Sequence, residues 1–248
     1  MLPSQLAGQY CLCDINGLLP CSHHRLQPRL VPPQLLRRQV TLIRHWTGIG
    51  HALCAKYLAR PNHTVIACIR NPSRPTSHLT SLFRGENTNL IISHIDSTDA
   101  STPSAAIARL QAQGITHLDL VIANAGICTC FPTAAEARLD DVRAHHEVNV
   151  LGPLAVFQAT LPMLNHALRP GNLRGRERGD GDGDKKRTKK KKGIFVAISS
   201  IGASISGMNR VMAPSSAYGP SKVALNYIMR KAHFENHERV CVFMVEPG

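Results

Sequence analysis

Residues 118–126 read Leu-Asp-Leu-Val-Ile-Ala-Asn-Ala-Gly, a short apolar run that ends abruptly in Asn124-Ala125-Gly126. Five other runs of the same kind lie on either side of it: Val40–Ile43, Thr64–Ile69, Leu90–Ile95, Ile194–Ile198 and Val240–Val245. Each is essentially continuous rather than alternating, as strands covered on both faces should be. Stretches with helical spacing separate most of them. Strand–helix alternation of this type predicts an α/β fold: one doubly wound parallel sheet with helices on both faces, in a single domain. Ligands in such sheets bind beyond the carboxyl ends of the strands. The residues that follow each run are therefore the candidates for function.

Outside these runs the composition is uneven. The chain has 248 residues and a net charge of +13, which invites a nucleic-acid reading. Residues 169–192 hold eleven Lys/Arg against four Asp/Glu, and residues 1–45 hold five Arg against one Asp. These two segments carry +7 and +4 of the total, so the remaining core is nearly neutral. With no basic stripe on that core and only 4% aromatic residues, nucleic acid is not the expected partner. Residues 1–38 have no sustained period and read as an unstructured leader. Residues 169–192 cannot bury enough surface to offset their ordering entropy and read as a disordered insertion. Lys185–Lys192 also has the look of a nuclear-localisation or polyanion-binding run. The first residues do not form a secretory signal, and no run approaches the ~20 apolar residues of a membrane span. A cytoplasmic protein is expected, with nuclear entry through the Lys/Arg run as the variant reading. The eight Cys form no C-x-x-C pair. Cys11, Cys13 and Cys21 precede His23 and His24 at spacings that match no common zinc module, so no metal is expected.

The chemistry-bearing positions begin with Tyr218 and Lys222 in Ala-Tyr-Gly-Pro-Ser-Lys. Four residues apart on a helix, their side chains share one face. A phenol titrates near ~10, and a nearby ammonium favours the phenolate, so the pair makes sense as an acid–base unit. Ser199 and Ser200 end the fifth run, where a hydroxyl can hold a carbonyl oxygen. Asn149 falls in the helix after the fourth run, in Glu-Val-Asn-Val-Leu-Gly. After the second run stands Arg70-Asn71, where NAD-binding sheets usually place an acidic residue for the ribose 2′-hydroxyl. An arginine suits a 2′-phosphate instead, so NADP(H) is the expected cofactor. Gly48-Ile49-Gly50 follows the first run and opens a helix running to Leu58.

Taken in order, these pieces resemble the short-chain dehydrogenase/reductase family. The matching residues are Asn124-Ala125-Gly126, Asn149, Ser200, Tyr218 with Lys222, and Pro247-Gly248. The resemblance covers about residues 39–248, apart from the insertion. Thr116–Asp119, the long Ser200-to-Tyr218 loop and His233–Asn236 are similar to fungal polyketide-pathway ketoreductases. The resemblance implies a Rossmann-like fold and a ketone-reducing oxidoreductase. Tyr218 would protonate the carbonyl oxygen as NADPH delivers hydride, and Ser200, with Ser199 as runner-up, would hold that oxygen. Lys222 would lower the tyrosine pKa and bind the nicotinamide ribose, and Asn149 would hold a relay water. It further implies cofactor contacts from Gly48, Ile49, Gly50, Arg70, Asp96, Ser97, Asn124, Ala125, Gly126, Pro247 and Gly248. A small-molecule carbonyl is the implied substrate, and homo-oligomers are the implied assembly.

Two departures pull the other way. The phosphate loop reads Ile43-Arg44-His45-Trp46-Thr47-Gly48-Ile49-Gly50, one residue short and without its first glycine. Trp46 stands near the turn that should cradle the pyrophosphate. The chain also stops at Gly248, directly after the sixth run, and so reads as truncated there. Both support an alternative, a catalytically impaired member of the family.

Overall fold

A computed structural model describes residues 38–43, 48–165, 192–210 and 213–247, with side chains described from Gly48 on except that of Arg210. The leader short of Arg38, the loop segment Arg44–Thr47 with Trp46, the insertion short of Lys192, and Gly248 lie outside the described residues.

All six apolar runs are strands: β1 (Arg38–Ile43), β2 (His63–Ile69), β3 (Asn89–His94), β4 (Leu120–Ala123), β5 (Gly193–Ile198) and β6 (Val240–Val245). They form one parallel sheet in the order β3-β2-β1-β4-β5-β6. The chain builds outward from β1 to β3, returns to the centre, and builds the other way from β4 to β6. That reversal opens a crevice beyond the carboxyl ends of β1 and β4.

Successive strand residues point to opposite faces, which splits the core in two. On one face Val65, Ala67, Ile122 and Val196 pack with Cys54 and Leu58 of α1 (Ile49–Leu58) and Leu79 of α2 (Ser77–Thr80). On the other face Ile66, Val121, Ala123, Phe195 and Val242 meet α3 (Ser101–Ala112), α5 (Gly152–Leu164) and α6 (Gly219–Asn236). Phe157 of α5 meets Phe195 of β5 edge to face, with centroids 5.2 Å apart. Continuous runs suit the interior strands β2, β4 and β5, which are covered on both faces, while the edge strands β3 and β6 are only partly covered.

Three details differ from the sequence reading. The strand that starts the domain begins at Arg38, inside the span read as leader. The β2–β3 connection holds only the four-residue α2, because Pro72 and Pro75 interrupt any longer helix. Asn149 sits not in a regular helix but in a π-helical turn, Glu147–Leu151, between α4 (Leu139–His146) and α5. Among the described residues, no helix is long and apolar enough to cross a membrane.

Candidate active site

Every candidate position within the described residues lies beyond the carboxyl end of a strand or on the helical segments packed beside those ends. Tyr218 is the residue before α6 and already has helical backbone angles, φ −85° and ψ −51°. Pro220 takes the first turn, where its missing N–H costs nothing. The Lys222 N–H closes back on the Tyr218 carbonyl at 3.3 Å, so the two side chains leave the same face one turn apart. Lys222 is buried, and its ammonium donates to the Ile198 carbonyl at the end of β5 (2.8 Å). It lies 5.8 Å from the centre of the Tyr218 ring. Burial pushes the Lys222 ammonium down from 10.5 to about 8.

The tyrosine behaves differently from the sequence expectation. Burial dominates and raises its pKa, and the opposing downward pull comes from the hydrogen bond with Ser200. The Lys222 ammonium is engaged by the Ile198 carbonyl.

The two serines at the end of β5 separate cleanly. Ser199 is buried, and its hydroxyl donates to Asn226 Oδ1 at 2.7 Å. Ser200 faces Tyr218, and its hydroxyl accepts from the Gly202 N–H at 3.2 Å. Gly202 leaves room there, since a Cβ on it would sit 3.6 Å from Ser200 Oγ and 3.8 Å from Tyr218 Cε1.

Beyond β4, Ala125 is buried and Asn124 is half-buried with bonded neighbours. A Cβ on Gly126 would lie 3.2 Å from Asn149 Oδ1 and 3.4 Å from Lys222 Nζ, so only glycine fits without displacing one of them. Asn149 is fully buried. Its Oδ1 accepts from the Ile127 N–H (2.8 Å), and its Nδ2 donates to the Ile127 carbonyl (2.9 Å) and to Ser221 Oγ (3.0 Å). Both amide protons are spent on protein, so its side chain braces the loop after β4.

On the other half of the crevice, Gly48 has φ +75° and caps the N-terminus of α1, followed by exposed Ile49 and buried Gly50. A left-handed glycine opening a ten-residue helix is the geometry that turns free N–H groups toward an anion. Arg70 is exposed just past β2, with its carbonyl bonded to His94 Nε2 (2.8 Å). Past β3, Asp96 Oδ1 accepts from the Thr98 N–H (3.0 Å) and hydroxyl (2.9 Å), and Ser97 is buried against Gly152. Pro247 is exposed past β6. These positions could hold a dinucleotide: a helix N-terminus after β1, a cation past β2 and one close-packed glycine past β4. Among the described residues, no group of His, Cys, Asp or Glu is placed to hold a metal ion.

Two residues escaped the sequence reading. His145 is fully buried, with its ring edge-on to Tyr218 at 6.2 Å between centroids. Cys128 is exposed beside Tyr218 and Lys222 and interacts electrostatically with both. The only signal for His145 was its place four residues before Asn149.

The short chain dehydrogenase family model matches residues 40–173. Norsolorinic acid ketoreductase of Dothistroma septosporum is 37% identical over 206 residues, 81% of this chain and 68% of that protein. The norsolorinic acid ketoreductase of Aspergillus parasiticus is 35% identical over 203 residues, 81% of this chain and 66% of its own length. Among solved structures, an NADPH-bound carbonyl reductase from chicken fatty liver superimposes with a TM-score of 0.68 at 26% identity, covering 85% of this chain and 76% of that one.

Proposed function

This chain belongs to the short-chain dehydrogenase/reductase family of nicotinamide-dependent oxidoreductases, and from that premise we propose that it reduces a ketone with NADPH. The substrate class we assign is an aromatic polyketide or related secondary-metabolite carbonyl, in keeping with the two fungal ketoreductases it resembles. One observation carries the reading: Tyr218, Ser200 and Lys222 converge at the end of β5, beside the close-packed Gly126 after β4.

A nicotinamide held here would supply the hydride that the carbonyl carbon receives. Tyr218 gives its phenolic proton to the carbonyl oxygen. A phenol raised by burial keeps that proton at neutral pH until charge develops on the oxygen. Ser200, which faces the phenol, would turn its single O–H to the same oxygen and hold it within reach. Lys222 keeps a positive charge below about pH 8, which stabilises the phenolate left behind and offers donors to the ribose. Because the Asn149 amide protons are engaged, a relay water at this residue would have to use its backbone carbonyl. Gly48, Ile49 and Gly50 would hold the pyrophosphate, with Asn124, Ala125 and Gly126 beneath the dinucleotide. Asp96 and Ser97 would flank the adenine, and Pro247 and Gly248 the nicotinamide. Arg70 would bind the 2′-phosphate and so select NADPH over NADH.

Two measurements test this. Tyr218→Phe should abolish NADPH oxidation with an aromatic ketone; a variant as fast as the wild type would remove the tyrosine from the mechanism. Titration of the wild-type chain with NADPH, followed by fluorescence, should saturate. No saturable binding would favour the impaired-member reading drawn from the shortened phosphate loop.

A further inference from the structure

The proton-transfer scheme leaves one fully buried titratable side chain beside the site without a part. His145 lies on the last turn of α4. Its Nδ1 is 2.6 Å from the Asp141 carbonyl oxygen, and its Nε2 lies 3.3 Å from the Thr129 backbone nitrogen. A carbonyl can only accept and a backbone N–H can only donate. The proton is therefore on Nδ1, and the Nε2 lone pair receives the Thr129 N–H.

Asn149, four residues on, does the same for Ile127. Two buried side chains, one turn apart, thus hold alternate residues of the irregular segment that leaves β4. They act as two rungs where a neighbouring strand would otherwise supply partners. Between the rungs stands Cys128, exposed and beside Tyr218. The His145 ring edge also abuts the Tyr218 ring, with 74° between planes. One side chain therefore touches both walls of the site, the loop by a hydrogen bond and the phenol by packing.

We propose that His145 is a positioning residue: through the Thr129 N–H it fixes the Gly126–Cys130 loop, and through its ring edge it holds that loop and the Tyr218 phenol in one relation. The loop-holding half stands on hydrogen bonds alone. Its consequence for turnover rests on the ketone-reductase reading.

Three variants separate the contributions. His145→Phe keeps a ring against Tyr218 and removes the acceptor. His145→Asn keeps a donor near Asp141 and also removes it. His145→Gln places an amide oxygen where Nε2 stood. Hydrogen exchange should show the Thr129 amide protected in the wild type and exchanging about tenfold faster or more in H145F and H145N, with protection regained in H145Q. In ketone reduction, kcat should fall about tenfold or more in H145F and H145N. The KM for NADPH should stay within about twofold, and H145Q should recover most of kcat. If H145F does not fold, H145N reads the same rung.

A purely structural histidine would lower Tm in all three alike and leave kcat of the folded protein unmoved. An unprotected Thr129 amide in the wild type would overturn the rung. Wild-type kcat in a variant that has lost Thr129 protection would overturn the positioning role, as would an H145Q no better than H145F. The reductase reading falls separately, by an active Tyr218→Phe, and in that case the exchange pattern still decides whether His145 holds the loop.

Discussion

Adjacent hydroxyls at the end of β5 have different neighbours and should fail differently. Ser200→Ala removes the group bonded to the Tyr218 phenol, so kcat should drop about 100-fold while the fold survives. Ser199→Ala leaves Asn226 Oδ1 without its donor and should cost about 1 kcal/mol in urea unfolding with little change in kcat. The reverse pattern would exchange their roles. The sequence placed both serines at the strand end and the family resemblance favoured Ser200 with Ser199 as runner-up, but Asn226 as the partner of Ser199 was not legible in it. Lys222 allows a sharper test. Its ammonium is pushed down to about 8 in the folded chain, against 10.5 when exposed. Between those values the unfolded chain holds a proton that the folded chain has shed, so this residue makes stability rise with pH across that window. At pH 7 the shift corresponds to a net cost of about 3 kcal/mol for holding the charge in the folded chain. Lys222→Met should therefore lose turnover, and its stability relative to wild type should worsen by about 2 kcal/mol from pH 7 to pH 10. Urea unfolding at the two pH values checks this, and a difference that stays flat refutes it.

Elements are positioned by close approaches that sequence patterns do not display. Gly152 opens α5 directly against the loop after β3, where an added Cβ would lie 2.7 Å from Ser97 Cβ and 3.1 Å from the Ser97 carbonyl oxygen. Gly152→Ala should therefore push the Asp96–Ser97 turn away from the helix. We expect a loss of about 1–3 kcal/mol in chemical unfolding, together with weaker NADPH binding because that turn flanks the adenine in the proposed site. Unchanged affinity in a destabilised variant would detach Ser97 from the cofactor. The interior strands were legible because cover on both faces suits continuous apolar runs. The π turn at Glu147–Leu151 was not, because Val148 and Val150 remain buried in it just as they would in an α-helix. The extra residue appears only in the backbone. The His145–Thr129 and Asn149–Ile127 rungs were hidden for a related reason: each joins a side chain to a main-chain group, and main-chain groups leave no mark in a sequence.

Across the whole molecule, the excess of charge is concentrated in two stretches of sequence, residues 1–45 and 169–192. α5 ends at Leu164 and β5 begins at Gly193, and a Cβ on Gly193 would lie only 3.0 Å from Leu164 Cβ. Leu164 and Gly193 therefore lie side by side at the end of the sheet where the strands start. The residues proposed for catalysis stand past the opposite ends of the strands. Parallel strands were readable from the run pattern, but the order β3-β2-β1-β4-β5-β6 was not, because it depends on which way each crossover turns. Loop length enters stability only through a logarithm, so closing the excursion with a short linker should alter unfolding by no more than about 1–2 kcal/mol. Residues 169–191 carry ten Lys/Arg and four Asp/Glu, so their removal takes six charges from the net +13. Replacing them with a short Gly-Ser linker should preserve ketone reduction and lower the salt needed to elute the protein from heparin. Elution at unchanged salt would place the polyanion affinity on the folded core. Loss of folding would show that the segment contributes to the stability of the domain.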